Sequence, residues 1–412
     1  MPPSPQRDEL TAESRWYALL GGALTAATWG LWLGQSDFPE IPLFAVGRIV
    51  PRGADALLLA AIVASLALTF APRTRRAAWI GFAIAWGLSA CLNQHRIQVW
   101  AWHLAVAGVV LAAFPPAAAR RRLQWLTISI YAWSAASKLD FGFVEHQGRQ
   151  LSVGLLTALR IDPTRLPAGA ISGLPWAFSL GELLIACLLA KPEARRYGLA
   201  LSLAMHAALL LALGPLGLNH ESGVLLWNVL FIGQNVLLFG RSGRAAASSD
   251  EVPAAGDPAP GRGRGLAATA VLWLALVMPV GQSWGWWDVW PSWAVYSARA
   301  GWTTILVHAD DVERLPESCR PFVQPAAPLS DWRPVNVDAW SLSTLHCPVY
   351  PQSRFRWAIA AVLAQRAEVR VETRSPPDRR TGASEFSAWE FSGPELPPDV
   401  EGRFLLNVRP RR

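Results

Sequence analysis

The chain has 412 residues, of which 52% are hydrophobic and only 16% are charged. Soluble domains usually carry about 25% charged residues, and here the charges are missing from long apolar stretches. This composition excludes an ordinary soluble enzyme, a disordered protein and a small disulfide-rich secreted domain. The formal net charge of +7 comes from arginines at the ends of apolar runs rather than from a basic stripe, so we expect no nucleic-acid binding.

Nine apolar runs are candidates for membrane-spanning helices, which need about 20 mainly apolar residues. In chain order they cover residues 16–34, 55–71, 77–92, 97–114, 123–139, 171–190, 197–214, 222–240 and 265–281. The runs are continuous rather than alternating, which favours helices over a β-barrel. The sequence therefore predicts an all-α polytopic membrane helix bundle of about nine transmembrane helices, followed by a small α+β soluble domain.

Basic residues alternate in number between successive predicted loops. With the N-terminus in the cytoplasm, the inside segments carry 15 basic residues and the short outside loops carry seven. The positive-inside rule therefore predicts an integral protein of a bacterial cytoplasmic membrane, with a cytoplasmic N-terminus and an extracytoplasmic C-terminal domain.

Changes in composition divide the chain into four parts. They are a transmembrane bundle (1–240), a flexible cytoplasmic linker (241–265), a last transmembrane helix (266–281) and an extracytoplasmic α+β domain (282–412). The linker is predicted from its small residues, prolines and glycines. The tryptophan-rich segment SWGWWDVWPSW at 283–293 is interpreted either as an interfacial anchor or as a lid over a site in the outer leaflet.

The C-terminal domain shows three strand patterns and one helix pattern. Residues 303–309, 368–374 and 403–410 predict strands from β-branched content and partial alternation, and residues 355–367 predict a short amphipathic helix. Cys319 and Cys347 lie in this domain, and an oxidising compartment would join them in a disulfide. The chain has no C-x-x-C, H-E-x-x-H, P-loop or G-x-G-x-x-G motif, so we expect no metal site or nucleotide site.

Ionisable residues at membrane depth are costly and mark functional sites by default. The candidate catalytic residues are Lys138, His103, Glu182 and His206, and the candidate cofactor-binding residues are His95, Arg96 and Tyr131. We expect Asp140 to be the ion-pair partner of Lys138. We expect His206 to pair with Glu182, because His206 lies at similar depth on the neighbouring span. The alternative is structural: buried histidines often only join helices through hydrogen bonds, and a lysine near a helix end can extend to the membrane surface.

Four segments carry a resemblance to known membrane families. They are LNQHRIQVWAW, SIYAWSAASKLDFGFVEHQGRQL, SLGELLIACLL and MHAALLLALGPLGLNHESGVLLWNVLFIG, within residues 40–240. This set resembles the DoxX/MauE-type membrane proteins and the related HTTM group, which includes vitamin K-dependent gamma-glutamyl carboxylase. The matching elements are Ser137-Lys138-Leu139 and the pair Gly181-Glu182.

The resemblance implies extracytoplasmic redox or thiol chemistry with a quinone-like ligand, beside an extracytoplasmic redox protein as partner. A second interpretation is an HTTM-type membrane enzyme, a transferase or oxidase with Lys138 or a histidine as base. A third is a transporter with Glu182 and His206 as a proton relay, or a membrane scaffold. The sequence leaves open whether the protein is an enzyme.

Overall fold

The computed structural model describes residues 5–34, 37–240, 262–297, 302–375 and 384–411. The chain forms two compact units. The first comprises Met1–Leu24, Ala61–Ile84 and Val99–Ala298, and the second comprises Thr25–Ala60, Ala85–Gln98 and Arg299–Arg412. Two segments of the predicted bundle, 25–60 and 85–98, therefore belong with the C-terminal residues.

Helices make up most of the described chain. In order they are α1 (Pro5–Ala27), α2 (Trp29–Leu33), α3 (Gly53–Leu68), α4 (Arg75–Leu92), α5 (Val99–Ala113), α6 (Pro116–Lys138), α7 (Phe141–Glu145), α8 (Gln147–Ala158), α9 (Ala168–Ala190), α10 (Arg195–Leu213), α11 (Ser222–Phe239), α12 (Arg262–Val277), α13 (Val337–Leu345), α14 (Ser353–Leu363) and α15 (Pro398–Glu401). Most of the predicted linker, 241–261, lies outside the described residues, and its last four residues begin α12.

The prediction of about nine transmembrane helices is wrong, because fewer of the described helices have the length and composition of a membrane span. Among the described residues, four helical segments are long and apolar enough to cross a membrane: Ala168–Ala190, Pro192–Leu213, Ser222–Phe239 and Gly265–Trp284. Two other apolar helices, α3 and α5, have 16 and 15 residues. At 1.5 Å per residue they extend only about 22–24 Å, short of the roughly 30 Å hydrocarbon core.

Two of the three remaining predicted spans fail for a different reason. Helices α1 and α6 have 23 residues each, but both include charged turns that the apolar windows had left out. Arg120, Arg121 and Arg122 stand in the first turns of α6, and Lys138 ends it. The first predicted span is also interrupted, because α1 ends at Ala27 and α2 starts at Trp29.

In the first unit, α6 is surrounded by other helices. It packs against α9, α5, α11 and α12, and α8 packs against α9 and α10. Phe143, Leu151 and Leu213 form a buried core where α7, α8 and α10 meet. Helix α1 approaches α11 closely, since a Cβ atom on Gly233 would lie 2.1 Å from the Trp16 ring.

The second unit contains a four-stranded antiparallel sheet in the order β2-β1-β3-β4. The strands are β1 (Trp302–His308), β2 (Trp332–Val335), β3 (Val369–Arg374) and β4 (Phe386–Phe391). Helix α14 packs against the two central strands. The small α+β domain is thus confirmed, as are the strands predicted at 303–309 and 368–374 and the helix predicted at 355–367.

The strand predicted at 403–410 is wrong. This segment has no strand; instead it follows irregular chain near residue 40, with the Asn407 N–H donating to the Leu43 carbonyl and the Arg411 N–H to the Glu40 carbonyl. The two missed strands, β2 and β4, are the sheet edges. Pro334 lies within β2, and proline disfavours a strand prediction because it cannot donate to the hydrogen-bond ladder.

Candidate functional site

Lys138 and Glu182 form a buried ion pair in the first unit. The Lys138 Nζ lies 2.7 and 2.8 Å from the two carboxylate oxygens and 2.6 Å from the Ser134 Oγ. Their side chains are 5% and 10% exposed. A lysine ammonium has three protons, so each of them has an acceptor in this geometry. A lysine acting as a general base must instead be neutral, so this geometry favours an ionic rather than a basic role.

Both expected partners were assigned incorrectly. Glu182, not Asp140, is the carboxylate that binds the Lys138 ammonium. Asp140 caps α7, where its Oδ1 accepts the Gly142 N–H at 2.6 Å. His206 likewise hydrogen-bonds to other groups than Glu182. Sequence position gives the depth of a residue along its helix but not the direction its side chain takes around the axis.

His206 lies at the centre of a second polar group. Its Nδ1 is 2.8 Å from the Asn228 Oδ1, and its Nε2 is 2.7 Å from the Tyr131 hydroxyl. The Asn228 amide NH₂ donates to the Val224 carbonyl, so its oxygen accepts and the His206 Nδ1 donates. That assignment makes Nε2 the acceptor of the Tyr131 O–H.

Asn235 joins the same group. Its Nδ2 donates to the Tyr131 hydroxyl at 2.7 Å and to the Ser202 Oγ at 3.2 Å. The sequence prediction does not include Asn228 and Asn235, because an amide side chain is not ionisable. Their spacing of seven places both amides on one face of an apolar helix, which is the pattern that identifies them.

His103 is fully buried among aromatic rings. Its ring centroid is 5.9 Å from that of Tyr17, 5.4 Å from Phe231 and 6.1 Å from Trp293. Trp227 donates its Nε1–H to the His103 Nδ1 at 3.4 Å. A neutral imidazole that accepts at Nδ1 carries its proton on Nε2, and this Nε2 has no hydrogen-bond partner in the part of the chain that the structure describes.

The tryptophan-rich segment divides between surface and interior. Trp284 and Trp286 are exposed and stack with ring centroids 5.7 Å apart. Trp293 is fully buried beside His103, and its Nε1–H donates to the Ala275 carbonyl at 2.9 Å. Its backbone has φ 62°, a conformation that costs an L residue about 1–3 kcal/mol and often occurs at ligand sites. The segment thus has two exposed indoles and one fully buried indole beside His103.

The remaining two candidates, His95 and Arg96, belong to the second unit. The His95 Nε2 lies 2.9 Å from the Pro348 carbonyl and 3.6 Å from the Cys347 Sγ. Because a carbonyl only accepts, Nε2 carries the proton and cannot deprotonate the thiol. Burial lowers the pKa of His95 to about 4. We interpret His95 as a neutral structural histidine.

The predicted disulfide between Cys319 and Cys347 is wrong, because neither cysteine is in a disulfide. Both side chains are buried. Burial raises the pKa of the Cys319 thiol to about 12, which keeps that sulfur protonated and unreactive. The two cysteines were paired from composition and compartment alone, and neither observation specifies which side chains face each other.

Arg96 belongs to a buried cluster of four charges. Its Nη1 lies 2.5 Å from the Asp55 Oδ1, and its Nη2 lies 3.2 Å from the Glu40 Oε1. Arg411 binds the other oxygens of the same carboxylates, at 2.6 Å for Asp55 and 3.3 Å for Glu40. Two guanidinium groups thus compensate two carboxylates. We interpret the cluster as structural. No sequence pattern around Arg411 identifies it as a partner of Glu40 and Asp55.

Across the described ranges, no group of three or more His, Cys, Asp or Glu side chains has the geometry of a metal site. Comparisons with protein-family models, curated proteins and solved structures give no match. The proposals below therefore depend on the chemistry of the residues.

Proposed function

We propose that the chain is an integral membrane protein that serves redox chemistry by holding a quinone-like ligand inside the first unit. The observation that carries the proposal is the unpaired Nε2–H of His103. A buried donor without an acceptor costs about 1–3 kcal/mol. A ligand carbonyl placed against this nitrogen would remove that cost.

The aromatic surroundings favour a flat ligand ring. Tyr17, Phe231 and Trp293 contact His103, and aromatic pairs prefer the tilted and edge-on arrangements seen here. A quinone has a planar ring and carbonyl acceptors, so it matches both the rings and the free N–H. Reduction of a quinone consumes protons. The hydrogen-bonded pair of Tyr131 and His206 lies next to Phe231, whose ring centroid is 4.9 Å from that of His206.

Basic residues at helix ends of the first unit support an orientation with the N-terminus in the cytoplasm. Arg75, at the start of α4, donates to the Thr11 hydroxyl at 2.8 Å, and Arg120, near the start of α6, lies 2.6 Å from Glu13. Arg120 also donates to the Leu237 carbonyl near the end of α11. These basic helix ends gather beside the N-terminal half of α1, and the positive-inside rule assigns such an end to the cytoplasm.

Binding of a short-chain quinone to the purified protein tests the proposal. Tryptophan fluorescence of the detergent-solubilised chain is titrated with the quinone, for the native chain and for His103→Phe. The phenyl ring keeps the aromatic packing and removes the Nε2–H together with the Nδ1 atom that accepts from Trp227. We expect His103→Phe to weaken binding by about tenfold, the effect of losing roughly 1.4 kcal/mol.

His146→Phe is the matched control, because His146 is exposed and lies outside the aromatic group. It should bind the quinone like the native chain. Absence of saturable quenching in the native chain, or equal affinity in His103→Phe, would contradict the proposed ligand site.

A further inference from the structure

One face of α6 is polar along the whole helix. Its members are Arg120, Gln124, Thr127, Tyr131, Ser134 and Lys138. The intervals of four, three, four, three and four residues place all six side chains on the same side of an α-helix. From Arg120 to Lys138 the face extends about 27 Å at 1.5 Å per residue, close to the roughly 30 Å hydrocarbon thickness of a bilayer.

This face points into the first unit rather than towards its surroundings. Gln124, Thr127, Tyr131, Ser134 and Lys138 are all buried. Helix α6 packs against α9, α11 and α12. Helices α9 and α11 are apolar and long enough to span a membrane, and α12 supplies the first part of a third such segment, Gly265–Trp284. The polar composition that excludes α6 from the candidate spans is therefore sheltered inside the bundle.

Each polar side chain of the face meets a polar group on another helix or on its own helix. At one end Arg120 pairs with Glu13 at 2.6 Å. Gln124 donates to the Leu238 carbonyl at 2.8 Å. Further along, Gln234 accepts the Tyr17 hydroxyl proton at 2.9 Å and donates to the Thr127 Oγ1 at 3.3 Å.

The second half of the face continues the series. The Tyr131 hydroxyl donates to His206, one turn later Ser134 accepts from Lys138, and Lys138 binds Glu182. Successive groups are separated by about one helical turn, or 5–6 Å between Cβ atoms. A single bridging water spans such a gap. A buried carboxylate thus stands at each end, Glu13 at one and Glu182 at the other.

Helix packing alone does not explain this arrangement. Polar groups inside an apolar bundle contribute only about 0.6 kcal/mol each on average, and leucine could fill the same positions without needing partners. Six polar positions in a row along one buried face therefore indicate a task that apolar packing does not provide.

We propose that the buried polar face of α6 is a proton path across the first unit, from Glu13 to Glu182. In the central step the Tyr131 hydroxyl gives its proton to the His206 Nε2 and takes another from the Thr127 side, through water. The protonated His206 then passes its Nε2 proton through water to the Glu182 carboxylate, which releases it at that end of the path while Glu13 takes up the next proton. Each transfer breaks one O–H or N–H bond and forms another, so the path returns to its starting state without an oxidant or reductant.

The inference rests on the membrane location proposed above but not on the quinone. Quinone binding without proton flux would contradict the path and leave the ligand proposal intact. Proton flux without quinone binding would contradict the ligand proposal and leave the path intact.

The test is proton flux into proteoliposomes that contain the full chain and a trapped pH-sensitive dye. A potassium gradient with valinomycin imposes the membrane potential, and the initial rate of internal pH change is recorded. We expect the native chain to acidify the lumen faster than protein-free liposomes. Tyr131→Phe removes one hydroxyl from the centre of the path and should lower this rate by about tenfold or more.

Tyr197→Phe is the matched control, because Tyr197 is exposed on α10 and hydrogen-bonds to Arg196. It should conduct like the native chain. Thr127→Val, which keeps the side-chain shape, is the second interior variant. The chromatographic elution volumes of both interior variants are compared with that of the native chain to verify folding. A native rate equal to that of protein-free liposomes, or native rates in both folded interior variants, would overturn the proposal.

Discussion

Lys138 and Glu182 compensate each other inside the first unit, and each side chain is almost fully buried. Removing one member leaves an uncompensated charge, which costs about 3–5 kcal/mol in buried pairs. Lys138→Met should therefore destabilise the protein by about this amount, measured as the shift in thermal unfolding in detergent. The double variant Lys138→Met with Glu182→Leu should recover most of the loss. Additive losses in the double variant would show that the two side chains are not coupled.

Arg411 has the corresponding role in the second unit, where it completes the cluster with Arg96, Glu40 and Asp55. Arg411→Leu leaves two buried carboxylates with one guanidinium, and we expect a loss of about 3–5 kcal/mol in unfolding free energy. The control is Arg409→Leu. Arg409 pairs with Glu401 at a site more than a third exposed, where an ion pair contributes only about 0–1 kcal/mol.

The Arg411→Leu penalty should also depend on pH. Burial raises the pKa of Glu40, and Arg96 and Arg411 oppose the rise. A carboxyl whose pKa is raised by folding stabilises the native state at low pH, and this stabilisation is lost as the pH rises through the folded-state value. Without Arg411 the pKa of Glu40 rises further, so the penalty should be larger at about pH 8 than at about pH 5. A penalty that decreases with pH would contradict this electrostatic account.

At the scale of elements, the close approach of α1 and α11 holds the Tyr17 hydroxyl against Gln234. Gly233→Ala would place a Cβ atom 2.1 Å from the Trp16 ring, and overpacking of this kind costs about 1–3 kcal/mol. The same substitution at Gly173 of α9 meets nothing within 4 Å and should be neutral or stabilising by up to about 1 kcal/mol. Thermal unfolding of the two variants checks the contact, and equal melting temperatures would argue against it.

The sequence predicted the long apolar helices, the helix at 355–367, the two central strands and most of the polar side chains, because apolar periodicity and unusual residue types are local properties. It did not predict which side chains meet. Lys138 was assigned to Asp140 and Glu182 to His206, whereas the structure pairs Lys138 with Glu182 and His206 with Tyr131. These contacts depend on helix rotation and packing, to which residues far apart in the chain contribute.

Membrane crossing was overestimated for a related reason. Apolar windows selected the hydrophobic middle of each helix and left out its charged turns. Helix α6 is a separate case, because its polar residues are buried by neighbouring helices rather than exposed. A hydropathy window averages around the helix and does not distinguish a sheltered polar face from a solvated one.

At the scale of the whole molecule, the proposed orientation is tested by labelling in intact cells with a membrane-impermeant maleimide. Arg165 and Arg73 are both exposed in loops of the first unit, on opposite sides of the membrane in the proposed topology. We expect Arg165→Cys to be labelled in intact cells and Arg73→Cys only after the membrane is permeabilised. The opposite pattern would invert the orientation, and labelling of both variants in intact cells would contradict membrane insertion.

The central claim is that the first unit holds a quinone-like ligand with a ring carbonyl against His103. Mass spectrometry of the lipids and small molecules that co-purify with the protein in mild detergent tests it most directly. The account predicts a quinone in near-stoichiometric amount with the native chain and with His146→Phe, and its loss from a folded His103→Phe variant. A native chain without any bound quinone, or equal amounts of quinone in all three preparations, would contradict it.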